Sequence, residues 1–190
     1  MAAPEQAWRP LLRGQRTVRI FVTVGSMLPF DRLVQAMDRW AEQHPSASVF
    51  AQIGAGGTPP MHMAHAEMVE PMEFRRHCAE SDVIVSHVGM GTVLAAAEVQ
   101  RPLVALPRRH RLREVNSEHQ SASAVWLKDR QGVCIVESEA ELSSAIERMA
   151  GKCGPADFEG ASRVQLCNVV REFLEAAINQ RDGDVEGWGK

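Results

Sequence analysis

The sequence predicts an α/β protein: a doubly wound, mostly parallel sheet of about six strands with helices on both faces. Short β-branched apolar runs alternate along the chain with amphipathic helical patterns. The runs are apolar at nearly every position, as in parallel strands that are buried on both faces. With 190 residues, of which 45% are hydrophobic, the chain suits one domain with a complete core.

The predicted elements follow one another in a regular order. Strands are expected at 18–25 (VRIFVTVG), 48–54, 66–71, 82–88, 102–107 and 132–138. Helices are expected at 29–44, 72–81, 91–100, 117–129, 141–150 and 161–179, where apolar residues recur at helical spacing. Residues 1–17 are predicted to be a flexible segment, 18–180 a single domain, and the polar tail 181–190 disordered.

Charge, cysteine usage and hydropathy exclude several classes. The formal net charge of −3 argues against a general nucleic-acid binder, which would carry a basic excess. The 4 cysteines form no C-x-x-C pair, which excludes the familiar zinc spacings and fits reduced thiols. No apolar run approaches the roughly 18 residues that a membrane span needs. These features predict a cytoplasmic, soluble protein.

Polar and glycine residues cluster where the predicted strands end. Glycine at one turn has a purely backbone explanation, but parallel sheets bind ligands at this edge, and four such loops together indicate a site. The candidate residues are Gly25 and Ser26 after the first strand, Gln52 and Gly54 after the second, His87, Gly89, Met90, Gly91 and Thr92 after the fourth, and Arg108 and Arg109 after the fifth.

The stretch VSHVGMGT, residues 85–92, carries the clearest chemistry. A strand that runs through a glycine turn into a helix offers backbone N–H groups and a helix N-terminus to a phosphate. The dinucleotide fingerprint has a third glycine and follows the first strand of its fold. This stretch has neither property, which argues against a nicotinamide-dependent oxidoreductase.

Five segments occur together and in order: TVGS, PFDRLV, QIGAG, SHVGMGT and PRRHRLREVNSEHQ. Over about residues 19–150 the sequence thereby resembles the C-terminal, nucleotide-sugar-binding domain of family 28 glycosyltransferases. More narrowly, it resembles the single-domain bacterial exopolysaccharide transferases of the PssE type. The resemblance implies half of a GT-B enzyme, which inverts the anomeric centre, binds a UDP-sugar as donor substrate, and needs neither a metal nor a cofactor.

The resemblance also implies roles for residues outside the glycine loop. Uracil would be read by backbone groups near Val69 and Glu70. The donor sugar and phosphates would be contacted by Glu118, His119 and Gln120, although Glu118 and Gln120 could equally decorate a solvated helix start. Many relatives carry a ribose-binding glutamate where this chain has Ala95. Either Glu98 reaches the ribose instead, or main chain and water hold it.

His87 has two interpretations. A histidine at the end of a buried strand is often a core residue that bonds a neighbouring loop. As a catalytic residue it would lie beside the donor, stabilising charge on the leaving UDP or ordering the glycine loop. It is not the expected general base, since that base belongs on the acceptor's side.

Two further clusters have a structural and a functional interpretation. The stretch PRRHRLRE (107–114) is either a solvated loop or a functional one, in which Arg108 and Arg109 pair with the pyrophosphate or a uronate, or the loop meets anionic lipid. His62 and His65 could suggest a metal, but no cysteine or carboxylate ligand accompanies them in sequence.

The resemblance implies partners as well. PssE-like proteins work with a membrane-anchored, acceptor-binding subunit of the PssD type, so the acceptor would be a lipid-linked saccharide at the inner face of the cytoplasmic membrane. The chain would then be peripheral there through its partner. The helix at 161–179 either docks that partner or packs on its own sheet. A hexose or a hexuronic acid would be transferred; the alternative is a non-catalytic nucleotide-sugar-binding or regulatory subunit.

Overall fold

The computed structural model describes residues 17–114 and 132–150, together with Ala124, Leu127 and Lys128. The predicted helix at 161–179, the tail, and residues 1–16 lie outside the described residues. So does most of the predicted helix at 117–129, of which Ala124 and Leu127 are helical and buried.

Strands and helices alternate along the described residues, as the sequence predicts, except that no helix separates the second strand from the third. The strands are β1 (Arg19–Thr23), β2 (Ser48–Gln52), β3 (Ala64–Ala66), β4 (Val83–His87), β5 (Leu103–Leu106) and β6 (Val133–Ile135). The α-helices with complete bounds are α1 (Asp31–Gln43), α2 (Pro71–Glu80), α3 (Met90–Glu98) and α4 (Leu142–Ala150). Short 3-10 turns occupy His110–Leu112 and Glu139–Glu141.

The six strands form one sheet in the order β3-β2-β1-β4-β5-β6, and every pairing is parallel. The strand order reverses direction between β1 and β4, which are neighbours although two strands separate them in sequence. Thr23 at the end of β1 is in register with Gln52 on β2 and with Ser86 on β4. The predicted fold class is therefore confirmed.

Alternate residues of the strands fill two separate cores. On β1, Ile20 and Val22 pack with α1 and α4 on one face of the sheet, whereas Phe21 packs with α2 and α3 on the other. Both faces are apolar, because a side chain on either side of the sheet meets a helix. This is why the strands appear in the sequence as continuous apolar runs.

The third strand lies earlier than predicted. β3 is Ala64–Ala66, not 66–71, and it pairs with the last three residues of β2, Phe50 to Gln52. Pro71 starts α2, where its missing N–H costs no hydrogen bond. The residues between, 67–70, form the connecting loop, so the apolar character of Met68 and Val69 does not mark a strand.

Two carboxylates of α1 hold the connection between β2 and β3. Asp31 accepts the N–H of Thr58 at 3.0 Å and its hydroxyl at 2.7 Å. Asp38 accepts the N–H groups of Met61 and His62 at 3.1 and 2.6 Å, and its Oδ2 lies 3.2 Å from Nδ1 of His62. His62 is thus a partner of Asp38, and no group of three potential metal ligands occurs in the described part of the chain.

No helix within the described ranges has the length and hydropathy required to cross a bilayer.

Candidate functional site at the carboxyl edge of the sheet

The loops after β1 and β4 meet at the point where the strand order reverses. In open parallel sheets the loops diverge there, to opposite faces, and leave a crevice for ligands. The β1 loop, residues 24–30, leads into α1, and the β4 loop, Val88 and Gly89, leads into α3. His87, Gly25 and Gly89 are therefore brought together as the sequence predicts.

The imidazole of His87 lies between the backbones of two glycines. A Cβ on Gly25 would lie 2.6 Å from Cε1 of the ring, and a Cβ on Gly89 would overlap Nε2. Gly25 also has φ +81°, a conformation that side chains rarely adopt. Gly89 has φ −118°, which any residue tolerates, so the His87 ring alone requires glycine there.

His87 is held in its neutral form. Burial lowers the pKa of the imidazole to about 4, with a further contribution from the positive charge of Arg108, and both outweigh a hydrogen bond to the Thr23 backbone. Nδ1 lies 3.3 Å from the Ser86 hydroxyl. The position of the ring between the Gly25 and Gly89 backbones favours the loop-ordering role among those predicted for His87.

Helix α3 begins with two N–H groups that have no acceptor among the described residues, those of Met90 and Gly91. The first loop-closing bonds of the helix come from Thr92 and Val93, which both donate to the Gly89 carbonyl. No side chain caps the helix. Gly91 is exposed, and a Cβ built there would meet nothing within 4 Å. The helix N-terminus therefore faces open space with two unused donors.

Arg108 is built into the fold. It is 4% exposed, and its four terminal N–H groups point at backbone carbonyls. The acceptors are those of Val24 at 2.8 Å, Leu28 at 2.6 Å, Pro29 at 2.7 Å and Glu114 at 3.0 Å. This geometry does not favour direct pairing of Arg108 with a pyrophosphate or a uronate. The side chain instead holds the β1 loop.

The basic stretch after β5 is an ordered turn held by the carboxylate of Glu114 at its end. Arg32 of α1 makes a bidentate pair with Glu114, with Nε and Nη2 at 2.7 and 2.9 Å from the two oxygens. The Arg109 N–H donates to the same carboxylate at 2.8 Å, and its guanidinium donates to the Glu137 carbonyl. Arg109 is therefore also anchored, while His110 and Arg111 project into solvent.

Gln52 and Gly54 connect the loops after β1, β2 and β3. The buried carboxamide of Gln52 bonds the Gly25 carbonyl and the Val69 N–H. Gly54 has φ +81°, lies against Pro29, and donates to the Glu67 carbonyl at 2.9 Å. Both residues therefore hold together the loops at the carboxyl edge of the sheet.

Glu98 does not reach the glycine loop. It is the last residue of α3, about 12 Å along the helix axis from the first at 1.5 Å per residue. Its carboxylate lies 3.8 Å from the Arg75 guanidinium of α2. The suggestion that Glu98 replaces the acid missing at Ala95, one helical turn away, stays a prediction.

The structure describes some of the remaining predicted site residues but not others. Ser26 and Glu70 are exposed on their loops, Val69 is half-buried, and Thr92 is buried in the first turn of α3. Glu118, His119 and Gln120 lie outside the described residues, so their predicted contacts with the donor stay predictions.

Residues 19–153 match the family described as the glycosyltransferase family 28 C-terminal domain. The chain belongs to this family. No curated protein matches the sequence. The family assignment agrees with the resemblance found in the sequence and covers the whole carboxyl edge described above.

Solved glycosyltransferases share the fold of this family 28 domain at low sequence identity. The glycotransferase of kitacinnamycin is 17% identical with a TM-score of 0.57, over 95% of this chain and 47% of that one. CalG4, the calicheamicin glycosyltransferase, is 17% identical with a TM-score of 0.55, over 88% and 48%. MurG of Acinetobacter baumannii is 18% identical with a TM-score of 0.51, over 86% and 51%. The chain spans about half the length of these proteins, and its sheet is the Rossmann-like half of the GT-B fold.

Some features of the family 28 domain's edge could not be inferred from the sequence. Arg32 and Glu114 are 82 positions apart, and nothing in either local sequence marks the pair. Thr23, whose hydroxyl accepts the Gly25 N–H at 3.2 Å, is signalled only by being a polar residue at the end of an apolar strand.

We predict that Gly89→Ala destabilises the protein through His87 alone. The new methyl group collides with the ring, and overpacking of this kind costs about 1–3 kcal/mol. The measurement is chemical denaturation of Gly89→Ala, His87→Ala and the double variant. Because His87→Ala removes the obstacle, the double variant should lose less stability than the two single variants together.

Gly91→Ala is the matched control for that cycle. No atom opposes its Cβ, so stability should stay the same or rise by up to about 1 kcal/mol, since alanine favours a helix over glycine. Strict additivity of His87→Ala and Gly89→Ala would contradict the wedged position of the ring.

We also predict that His87 makes the fold sensitive to acid. Its pKa is about 4 in the folded protein and about 6.5 when unfolded, so between these values the unfolded chain binds more protons. The stability that His87 contributes is present above pH 6.5 and is lost as the pH falls towards 4, on the order of 2 kcal/mol. Stability should be measured from pH 7 to 4 for the protein and for His87→Gln. The stability difference between them should shrink with acid; a constant difference would show an ordinary, exposed histidine.

Proposed function

We propose that this chain is the donor-binding catalytic subunit of an inverting, metal-independent UDP-sugar glycosyltransferase. It transfers a hexose or hexuronic acid to a lipid-linked saccharide in polysaccharide assembly. The acceptor is held by a membrane-anchored, PssD-like subunit, through which the chain lies at the inner face of the cytoplasmic membrane. Family membership supports the nucleotide-sugar chemistry, and the resemblance to PssE-type proteins supports the partner.

The observation that carries the proposal is the open N-terminus of α3. A diphosphate carries negative charge and oxygen acceptors, and both are stabilised by the N–H groups and the dipole at the start of a helix. The N–H groups of Met90 and Gly91 supply the donors, and the absence of a side chain at Gly91 leaves the space. The position beside the reversal of strand order is where such sheets hold nucleotides.

The nucleoside and the sugar extend from the diphosphate in opposite directions in this proposal. The base lies against the loop of residues 67–70, which ends next to α2, and is read by backbone groups of Val69 and Glu70. The sugar lies towards Glu118, His119 and Gln120. The neutral His87 orders the loops beneath the diphosphate instead of acting as a base, and the general base comes from the acceptor's side.

A non-catalytic nucleotide-sugar-binding subunit is the second candidate, and one observation favours it. The acid that many relatives place at the ribose is replaced by Ala95, and Glu98 is directed to Arg75. Sugar transfer from a UDP-sugar to a lipid-linked acceptor, measured with the partner subunit present, distinguishes the two candidates. Changes to the site residues of this chain should abolish turnover only if it is the catalytic subunit.

Calorimetric titration tests donor binding directly. UDP should bind the purified protein, whereas ADP and NAD at the same concentrations should bind at least about tenfold more weakly. Gly91→Val should weaken UDP binding by at least about tenfold, because its methyl groups occupy the space of a phosphate oxygen. Its midpoint of thermal unfolding should not fall, since the position is open.

Gln35→Val is the matched control for this titration. It places the same β-branched side chain at an exposed helical position of α1 and should leave UDP binding unchanged. Equal binding of UDP to the protein and to Gly91→Val would place the diphosphate elsewhere and contradict the proposal.

A further inference from the structure

Gln52 uses both ends of its carboxamide inside the protein. The residue ends β2 and is 3% exposed. Nε2 donates to the Gly25 carbonyl at 3.0 Å and lies 3.5 Å from the Thr23 hydroxyl, and Oε1 accepts the Val69 N–H at 3.3 Å. The orientation of the amide is fixed, because only nitrogen can donate to a carbonyl and only oxygen can accept an N–H.

Gln52 joins two loops that would contact different halves of the proposed ligand. Gly25 faces the ring of His87 and, through it, the glycine loop at which the diphosphate binds. Val69 lies in the loop of residues 67–70, against which the base binds. Gln52 itself is too buried to contact either half.

The loop of residues 67–70 has few other attachments near its centre. At one end the Gly54 N–H donates to the Glu67 carbonyl at 2.9 Å, and at the other the Phe74 N–H donates to the Glu70 carbonyl at 2.9 Å. Between them, the bond from Val69 to Gln52 is the one backbone attachment to another strand within the described residues. The Val69 side chain packs against the core that α2 and α3 cover, so this bond fixes the orientation of the Val69 backbone, which the base would contact.

We propose that Gln52 is a positioning residue that makes recognition of the nucleobase depend on the geometry of the diphosphate loop. The carboxamide sets the distance between the Gly25 carbonyl and the Val69 N–H, so neither loop moves without the other. The ordered β1 loop thereby preorganises the loop of residues 67–70. The inference rests on the proposed function only for the identity of the ligand; the mechanical link between the loops is independent of it.

Two substitutions separate the two ends of the amide. Gln52→Met keeps the length and volume of the side chain and removes both bonds. Gln52→Glu keeps an oxygen that accepts the Val69 N–H and, at a pH where its carboxyl is ionised, places a second oxygen that cannot donate against the Gly25 carbonyl. Gln35→Met, at an exposed position of α1, is the control.

The first measurement needs no ligand. Hydrogen exchange of the Val69 amide, followed by NMR under conditions where all variants are folded, should be about tenfold faster in Gln52→Met, because one hydrogen bond is lost. It should be close to that of the unmodified protein in Gln52→Glu and in Gln35→Met. Unchanged exchange in Gln52→Met would overturn the proposal.

The second measurement compares UDP with inorganic pyrophosphate in NMR titrations of the same proteins. Gln52→Met should lower the affinity for UDP by about tenfold and that for pyrophosphate by less than about threefold, because the loss falls on the base. An equal loss for both ligands would indicate a general structural role and overturn the proposal. If the unmodified protein binds neither ligand, the proposed function fails, while the exchange of Val69 still decides whether Gln52 links the loops.

Discussion

The arrangement of the candidate site depends on one packing constraint, the imidazole of His87 lying between two backbones. The ring comes from the end of β4 and fills the space between the turn after β1 and the turn that opens α3. Its thickness sets the separation of these two turns across the reversal of strand order. Because the ring occupies the space of both Cβ atoms, Gly25 and Gly89 are required, and desolvation of the half-buried ring lowers its pKa and favours its neutral form.

The β1 loop is held by three different interactions with residues at the ends of three other strands. Gln52 at the end of β2 bonds the Gly25 carbonyl, His87 of β4 packs on the Gly25 backbone, and Arg108 after β5 bonds the carbonyls around it. Burying a guanidinium costs several kcal/mol unless its donors are satisfied, and here four carbonyls satisfy them. The loop is therefore fixed before a ligand arrives, which reduces the ordering cost of binding.

Helix α3 gains its open N-terminus from the same arrangement. Gly89 ends the extended chain against His87, and the helix starts at the next residue without a capping side chain. A serine or aspartate cap would satisfy the first N–H groups and would fill the space in front of them. The sequence instead leaves two donors and a glycine at this point, which suits an external anion.

The fold could be predicted from the sequence because its signal is local. A parallel sheet with helices on both faces makes each strand an apolar run, and the turns after β1, β2 and β4 carry glycine where φ is positive or a side chain intrudes, as at Gly25, Gly54 and Gly89. The strand at Ala64–Ala66 was missed because only three residues pair with β2, too few for a recognisable pattern, while the apolar residues of the following loop gave a misleading one.

Only part of the site could be predicted. The local sequence marks where the site residues lie, but the residues that they contact are distant in sequence. VSHVGMGT located the glycine loop. The sequence could not show that Arg108 would donate its hydrogen bonds to backbone carbonyls up to 84 positions away, or that Asp38 would accept the N–H of His62. An arginine-rich segment has the same appearance whether its side chains face a ligand, solvent or the protein's own backbone.

A crystal structure of the protein with UDP tests the central claim most directly. The account predicts diphosphate oxygens about 3 Å from the N–H groups of Met90 and Gly91, with the His87 ring still between Gly25 and Gly89. UDP bound away from the start of α3, or a His87 ring expelled from between the two glycines when UDP binds, would contradict it.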